Sequence, residues 1–400
     1  MDDVIPLPTD LPQVTGLLAS RGRSGHAWAA GMWQQDPLAD AVVNDTDSAA
    51  GRAVRTALRD GIGDLDALPA SFPASARALL TQVSTAPEWL ERDRLDRAAD
   101  VLVRYTAQWG LVLGAASLLR GADNRVAAMP LVLTGRYGNE PAVRSIEVGA
   151  WLQQITRRGG MEVDGPGFQH TVRVRMIHAH VRRHVGALPD WDEARWGVPV
   201  PQSYMAFTLA EFGHVSLAAM ERLGARLRPD ELADVYHLWR YVGHLIGVEE
   251  ALNPVDEADH VRIEEFYSLT SPGPDEHSKA FCRALTEQYL APQLAAMLPG
   301  PDAWRQKFAL STMYGMSRIF LGQQAADALD VPDGVAKFVL RAARPLLLGL
   351  DQTRLLIQGR DGATRRGYVA RDRELARLRA EQEMTHDLVD SVPGAVGHQG

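Results

Sequence analysis

Cysteine is almost absent from this 400-residue chain, where Cys282 stands alone. One thiol excludes an intramolecular disulfide, a Cys-rich zinc site and an iron–sulfur cluster by counting. Its setting, Ser278-Lys-Ala-Phe-Cys-Arg-Ala-Leu285, reads as a helix that buries a small apolar residue. Lysine is nearly as scarce: only Lys279, Lys307 and Lys337 occur among 42 basic residues. Chemistry that needs a lysine nucleophile therefore has few candidates. A basic excess is also missing. The formal charge is −8 and the pI near 5.9, the opposite of what a general nucleic-acid binder carries. The longest apolar run, Gly110 to Leu119, is about half the length that spans a bilayer. The start, Met1-Asp-Asp-Val-Ile-Pro-Leu-Pro8, shows no basic n-region, apolar h-region or twin arginine. The expectation is a cytoplasmic protein with no membrane span and no nucleic-acid partner.

Several motifs are missing as well. Gly159-Gly160 and Gly165-Pro-Gly167 are not preceded by a strand-like segment, so neither is a phosphate loop. No Gly-x-Ser-x-Gly elbow appears, and the paired Glu-x-x-His of di-iron bundles is lacking. Alternating strand patterns and internal repeats are not found.

What is present is a 46% hydrophobic composition, enough for a large core, arranged almost throughout at helical spacing. The fold class expected is all-α. Residues 1–50, rich in Pro, Gly, Asp and Ala, read as an irregular N-terminal arm. Residues 51–335 read as the main helical domain, and 336–400 as a helical extension with a frayed tail. Within the domain, a helix over 141–157 ends at Gly159-Gly160. Another follows Gly165-Pro-Gly167 and ends at Gly186 and Pro189.

That second helix carries the most pointed pattern: Thr171-Val-Arg-Val-Arg-Met-Ile-His-Ala-His-Val-Arg-Arg-His-Val185. At about 100° per residue, Val174, Val181 and Val185 fall within roughly 60° of His178 on one side, and Arg175 and Arg182 within roughly 60° on the other. An imidazole rising from an apolar seam beside two guanidinium groups suits a haem site: a nitrogen for iron, apolar surface for the porphyrin, cations for the propionates. A core histidine bonded to a carbonyl satisfies the same local pattern. His180 and His184 share the opposite face at i, i+4 and read as solvated or structural. His170, His214, His237 and His244 complete the histidine-rich middle of the chain.

These residues resemble a known family. Arg144-Ser-Ile-Glu-Val-Gly-Ala-Trp151, Gly159-Gly-Met161, Gly165-Pro-Gly-Phe168 and Arg173-Val-Arg-Met-Ile-His-Ala-His-Val-Arg-Arg-His184 are similar to the catalytic domain of latex clearing proteins, the rubber oxygenases. So are Trp196-Gly-Val-Pro-Val-Pro-Gln202, Phe207-Thr-Leu-Ala-Glu-Phe212 and His237-Leu-Trp-Arg-Tyr-Val-Gly-His-Leu-Ile-Gly-Val248. The likeness runs over about residues 85–330, in one order. It implies a globin-like helical core that holds haem b, with His178 as the proximal iron ligand and Arg175 preceding it. His214 and Trp239 match further haem-pocket positions, and Arg144 and Glu147 match a segment on the distal side.

The departures are specific. Latex clearing proteins carry a lysine where this chain has Glu147 and a threonine where it has Val148. Their distal glutamate has no counterpart in Ala127-Ala-Met-Pro130. They are secreted, whereas no export signal is visible here, so polyisoprene is not the expected substrate. The resemblance implies a haem b-dependent oxygenase acting on a small or medium apolar organic molecule. Its partners would be dioxygen or peroxide and an electron donor. Arg175 and Arg182 would pair with the propionates or orient the proximal side, and Arg144 and Glu147 would move protons. The alternative is a haem-binding sensor or electron-transfer protein without chemistry of its own.

Overall fold

The computed structural model describes residues 4–45, 48–134 and 141–381, and the side chains of Arg144 and Glu147 lie outside what it describes. Among the described residues the regular structure is helical, in an all-α fold. In chain order the helices are α1 (Thr15–Ser20), α2 (Gly22–Gly31), α3 (Pro37–Val43), α4 (Ala49–Asp60), α5 (Ala74–Ser84), α6 (Arg92–Val103) and α7 (Thr106–Val112). They continue with α8 (Leu119–Ala122), α9 (Arg125–Leu133), α10 (Pro141–Ile155), α11 (Pro166–Gly186), α12 (Glu193–Trp196), α13 (Gln202–Ala210) and α14 (Ser216–Arg222). The last are α15 (Pro229–Ile246), α16 (Glu257–Thr270), α17 (Glu276–Ala284), α18 (Ala291–Ala296), α19 (Asp302–Leu321), α20 (Gln323–Ala328) and α21 (Ala336–Glu381).

The starts and stops follow from cap chemistry. Asp36 accepts from the Ala39 N–H and Pro37 takes the first turn of α3. Asn124 accepts from Val126 and Ala127 to open α9, and Asp256 and Asp275 do the same for α16 and α17. Each such cap is worth about 1 kcal/mol. Helix α15 opens on Pro229, with Glu231 accepting from the Arg228 N–H, and closes on Gly247 at φ +87°.

The N-terminal region corrects the expectation. Instead of an irregular arm, residues 15–43 form α1–α3, and Leu18, Trp28 and Met32 are fully buried in the main core. Each of these helices is short, so local periodicity is weak, and burial against α11, α13 and α16 holds them. Trp28 donates to Thr270 Oγ1, and its own carbonyl accepts from Ser203.

Two features of the backbone shape the centre. Helices α10 and α11 form a tight hairpin because glycines replace side chains at the crossing. A Cβ on Gly160 would lie 2.2 Å from the Gln154 carbonyl oxygen, and one on Gly167 would lie 2.7 Å from it. Among the described residues, three π-helical turns, Leu113–Leu118, Glu211–Val215 and Leu285–Leu290, interrupt the α7–α8, α13–α14 and α17–α18 rods, and the first packs against the other two. Such turns recur at functional sites. Helix α21 is kinked at Gly359 and runs back across α6, α7 and α10.

Candidate functional site

The hairpin of α10 and α11 separates two environments. On one flank of α11, the buried guanidinium of Arg175 is fully engaged. Its Nε and Nη2 donate to Asp36 at 2.6 and 2.9 Å, and its Nη1 donates to Gln82 Oε1 at 2.5 Å and to the Leu245 carbonyl at 3.3 Å. One helix turn pair further on, Arg182 donates from Nε to Asp40 at 2.8 Å, with Asp36 3.9 Å from its Nη2 and Met205 Sδ 3.7 Å from its Nη1. Burial raises the Asp40 carboxyl above its usual range, against the opposing pull of Arg182. Both arginines therefore tie α11 to the start of α3. The acids that hold them lie some 140 residues away in sequence, where local reading could not find them.

His178 lies between these arginines in the helical register and is half-buried, with Nδ1 shut off from solvent. On the preceding part of α11, Thr171 Oγ1 accepts from the Trp151 indole at 3.1 Å, and Trp151 meets Phe212 and Trp239 edge-on. Phe212 stacks on Trp239. The π turn at Glu211–Val215 brings Gly213 against this cluster: a Cβ there would be 2.7 Å from the His260 ring and 3.4 Å from Trp239. Trp239 is fully buried and its Nε1 has no hydrogen-bond partner.

The other histidines are dispersed. His214 approaches Tyr236 Oη at 3.4 Å and lies 3.8 and 3.9 Å from Glu257 and Glu264. It thus faces acids on α16. His237 accepts from the Glu91 N–H at 3.0 Å, and desolvation pulls its pKa down to about 4. His244 contacts Gln82 and stacks near Tyr241, with its pKa lowered by burial. His180 is lowered by burial too, and His184 is exposed. His260, buried completely with neither ring nitrogen hydrogen-bonded, falls to about 3 through desolvation. Sequence reading passed over it, because its only signal is a histidine on the buried face of α16. Among the described residues no group of three His, Cys, Asp or Glu side chains could hold a metal ion. A multidentate protein metal site is therefore not formed among them, and Cys282 is buried with its thiol pushed up to about 12.

On the α10 side lies an apolar cleft of about 320 Å³. Val148, Gly149, Leu152, Gln153 and Thr156 present one stripe of α10 to it, at the i, i+3/i+4 spacing of a single helix face. All three π turns contribute to its wall, through Leu113, Phe212 and Leu290 among others, and Ala370 and Arg371 of α21 complete it. Arg144 and Glu147 precede Val148 on the same helix, with side chains outside the described residues.

A family model described as "ER-bound oxygenase mpaB/B'/Rubber oxygenase, catalytic domain" matches residues 103–348. The chain belongs to that family. It is 23% identical over 231 residues to a rubber oxygenase from Streptomyces sp. (strain K30), covering 56% of this chain and 55% of that protein. The chain thus matches about half the length of this curated relative. A solved structure of latex clearing protein in its closed state superimposes with a TM-score of 0.62 at 19% identity, over 84% of this chain and 88% of that one. The shared fold is all-α. Among the described residues no helix is long and apolar enough to cross a membrane.

Proposed function

We propose that this protein is a haem b-dependent oxygenase acting on a small or medium apolar organic substrate, with His178 as the residue that would hold the haem iron. The observation that carries the reading is the setting of His178. A half-buried imidazole stands on a helix whose rotation is locked by Arg175–Asp36 and Arg182–Asp40, in a member of an oxygenase family.

The donor chemistry fits the group. One imidazole is sufficient for haem iron, which needs no cluster of protein ligands. The Trp239 indole adds a buried donor without a protein acceptor, an arrangement that costs about 1–3 kcal/mol if nothing ever accepts from it. Of the two roles open to Arg175 and Arg182, their pairing with Asp36 and Asp40 favours orienting the proximal helix over binding propionates.

When bound, haem supplies the activation of dioxygen or peroxide that side chains alone lack. The chain's own contributions are separate. His178 presents a ring nitrogen. Arg175 and Arg182 hold α11 so that this nitrogen keeps one direction. Arg144 and Glu147, ahead of Val148 on α10, are assigned to charge stabilisation and proton movement on the distal side. The cleft beyond Val148 takes the apolar substrate and excludes water.

The test is optical. Purified protein, or protein titrated with hemin, is expected to show a Soret band, and His178→Ala should lose or strongly shift it. An unchanged spectrum in that variant would remove His178 as the ligand. A wild-type protein that never acquires the band would remove haem altogether.

A further inference from the structure

Among the described residues that line the apolar cleft, Arg371 is a cation that the proposed reaction does not use. Arg371 is only 6% exposed, yet its Nε and Nη2 make no hydrogen bond. Its Nη1 donates to the Thr156 carbonyl at 3.0 Å and to Thr156 Oγ1 at 3.3 Å, which fixes the guanidinium at the end of α10. Among the described residues its one ion-pair partner is Asp372, 3.7 Å from Nη2, half-exposed and shared with Arg157 at 3.8 Å and Gln153 at 3.1 Å. A buried guanidinium carries five N–H donors and no acceptor, and here the three on Nε and Nη2 are without a hydrogen-bond acceptor at the edge of a cleft lined mostly by apolar residues.

We infer that the cleft binds an amphipathic carboxylate, a medium-chain fatty acid or a similar alkenoic acid, with its carboxylate on Arg371 and its hydrocarbon along α10 toward Val148. The stripe Val148, Leu152 and Thr156 sets the scale. Eight residues of helix separate Val148 from Thr156, about 12 Å at 1.5 Å per residue, which suits a medium chain better than a short acid. Leu113, Phe212 and Leu290 offer the tail apolar wall, and the half-exposed Asp372, 3.7 Å from Nη2, is the carboxylate the ligand would replace. Arg371 lies beyond residues 103–348, so this recognition belongs to the C-terminal helix of this chain and not to the family domain. The inference rests on the proposed function only in treating the cleft as the substrate's.

Calorimetric titration with decanoate and with 1-decanol tests it. Decanoate should bind the wild type at least tenfold more tightly than the alcohol, the usual scale of a charge-assisted hydrogen bond. Arg371→Met should erase that preference while leaving the alcohol's affinity unchanged. Gly149→Leu should abolish both, because a Cβ at Gly149 meets nothing within 4 Å and its side chain would fill the cleft without a clash. Asp372→Asn should tighten decanoate several-fold, and this variant decides the matter if Arg371→Met does not fold. Equal binding of acid and alcohol, a preference that survives Arg371→Met, no binding of either, or an unchanged decanoate affinity in Asp372→Asn would each overturn the proposal. Soret spectra of the same samples separate the two readings. Decanoate binding lost with haem retained sinks only this inference, and the reverse sinks only the haem assignment.

Discussion

Arg175 and Arg371 are both buried arginines set against the same helical hairpin, and they are treated in opposite ways. Arg175 sits on the α11 side with a bidentate carboxylate, an amide oxygen and a carbonyl around it. Arg371 sits on the α10 side with a carbonyl and a hydroxyl on one nitrogen and nothing hydrogen-bonded to the other two. Desolvation lowers the Arg371 pKa, only partly offset by Asp372. A saturated cation holds structure, whereas a poorly partnered one keeps binding capacity in reserve. In the proposed reading the α11 side gives His178 rigid support and the α10 side takes a ligand.

The largest effect should come from breaking the saturated side. Asp36→Ala strands Arg175 without its carboxylate, and removing one partner of a buried pair typically costs about 3–5 kcal/mol. Chemical denaturation should show that loss, together with weakened hemin binding. A loss below about 1 kcal/mol would mean that the clamp is not rigid support.

Acid should act next. His260 is neutral in the folded protein with a pKa near 3, while in the unfolded chain it binds protons near 6.5. Its contribution is therefore complete above about pH 6.5 and is lost as pH falls from there toward 3. Melting temperature should decline over that window, and His260→Leu should flatten the decline. Identical pH profiles for the two proteins would place the sensitivity elsewhere.

The smallest change is expected where the contrast is sharpest. Arg371→Met removes a buried and incompletely paired cation, so ligand-free stability should stay within about 1 kcal/mol of wild type or rise slightly. A loss as large as that of Asp36→Ala would show that the two arginines do the same work.

Legibility in the sequence tracked the range of the interactions. Gly159-Gly160 and Gly165-Pro-Gly167 announced the ends of α10 and α11 because caps and turns are local. The helices after Pro201 were legible from periodicity for the same reason. Helices α1–α3 were not, since their stability comes from burying Leu18, Trp28 and Met32 against distant elements. The arginines beside His178 were visible, but Asp36 and Asp40 were not, so propionate binding looked as reasonable as the clamp they form. The π turns were hidden as well, because one extra residue in a turn leaves no compositional mark. Arg371 falls in the 336–400 extension without a motif of its own, and the return of α21 over Thr156 is what makes it distinctive.

In the proposed haem site, α11, clamped through Arg175 and Arg182, presents His178 to iron. The most direct measurement is the absorption spectrum of hemin-loaded His178→Gly before and after adding imidazole. A weak or displaced Soret band that free imidazole restores to the wild-type position is expected. A wild-type spectrum without imidazole, or a displaced band that imidazole leaves unmoved, would contradict it.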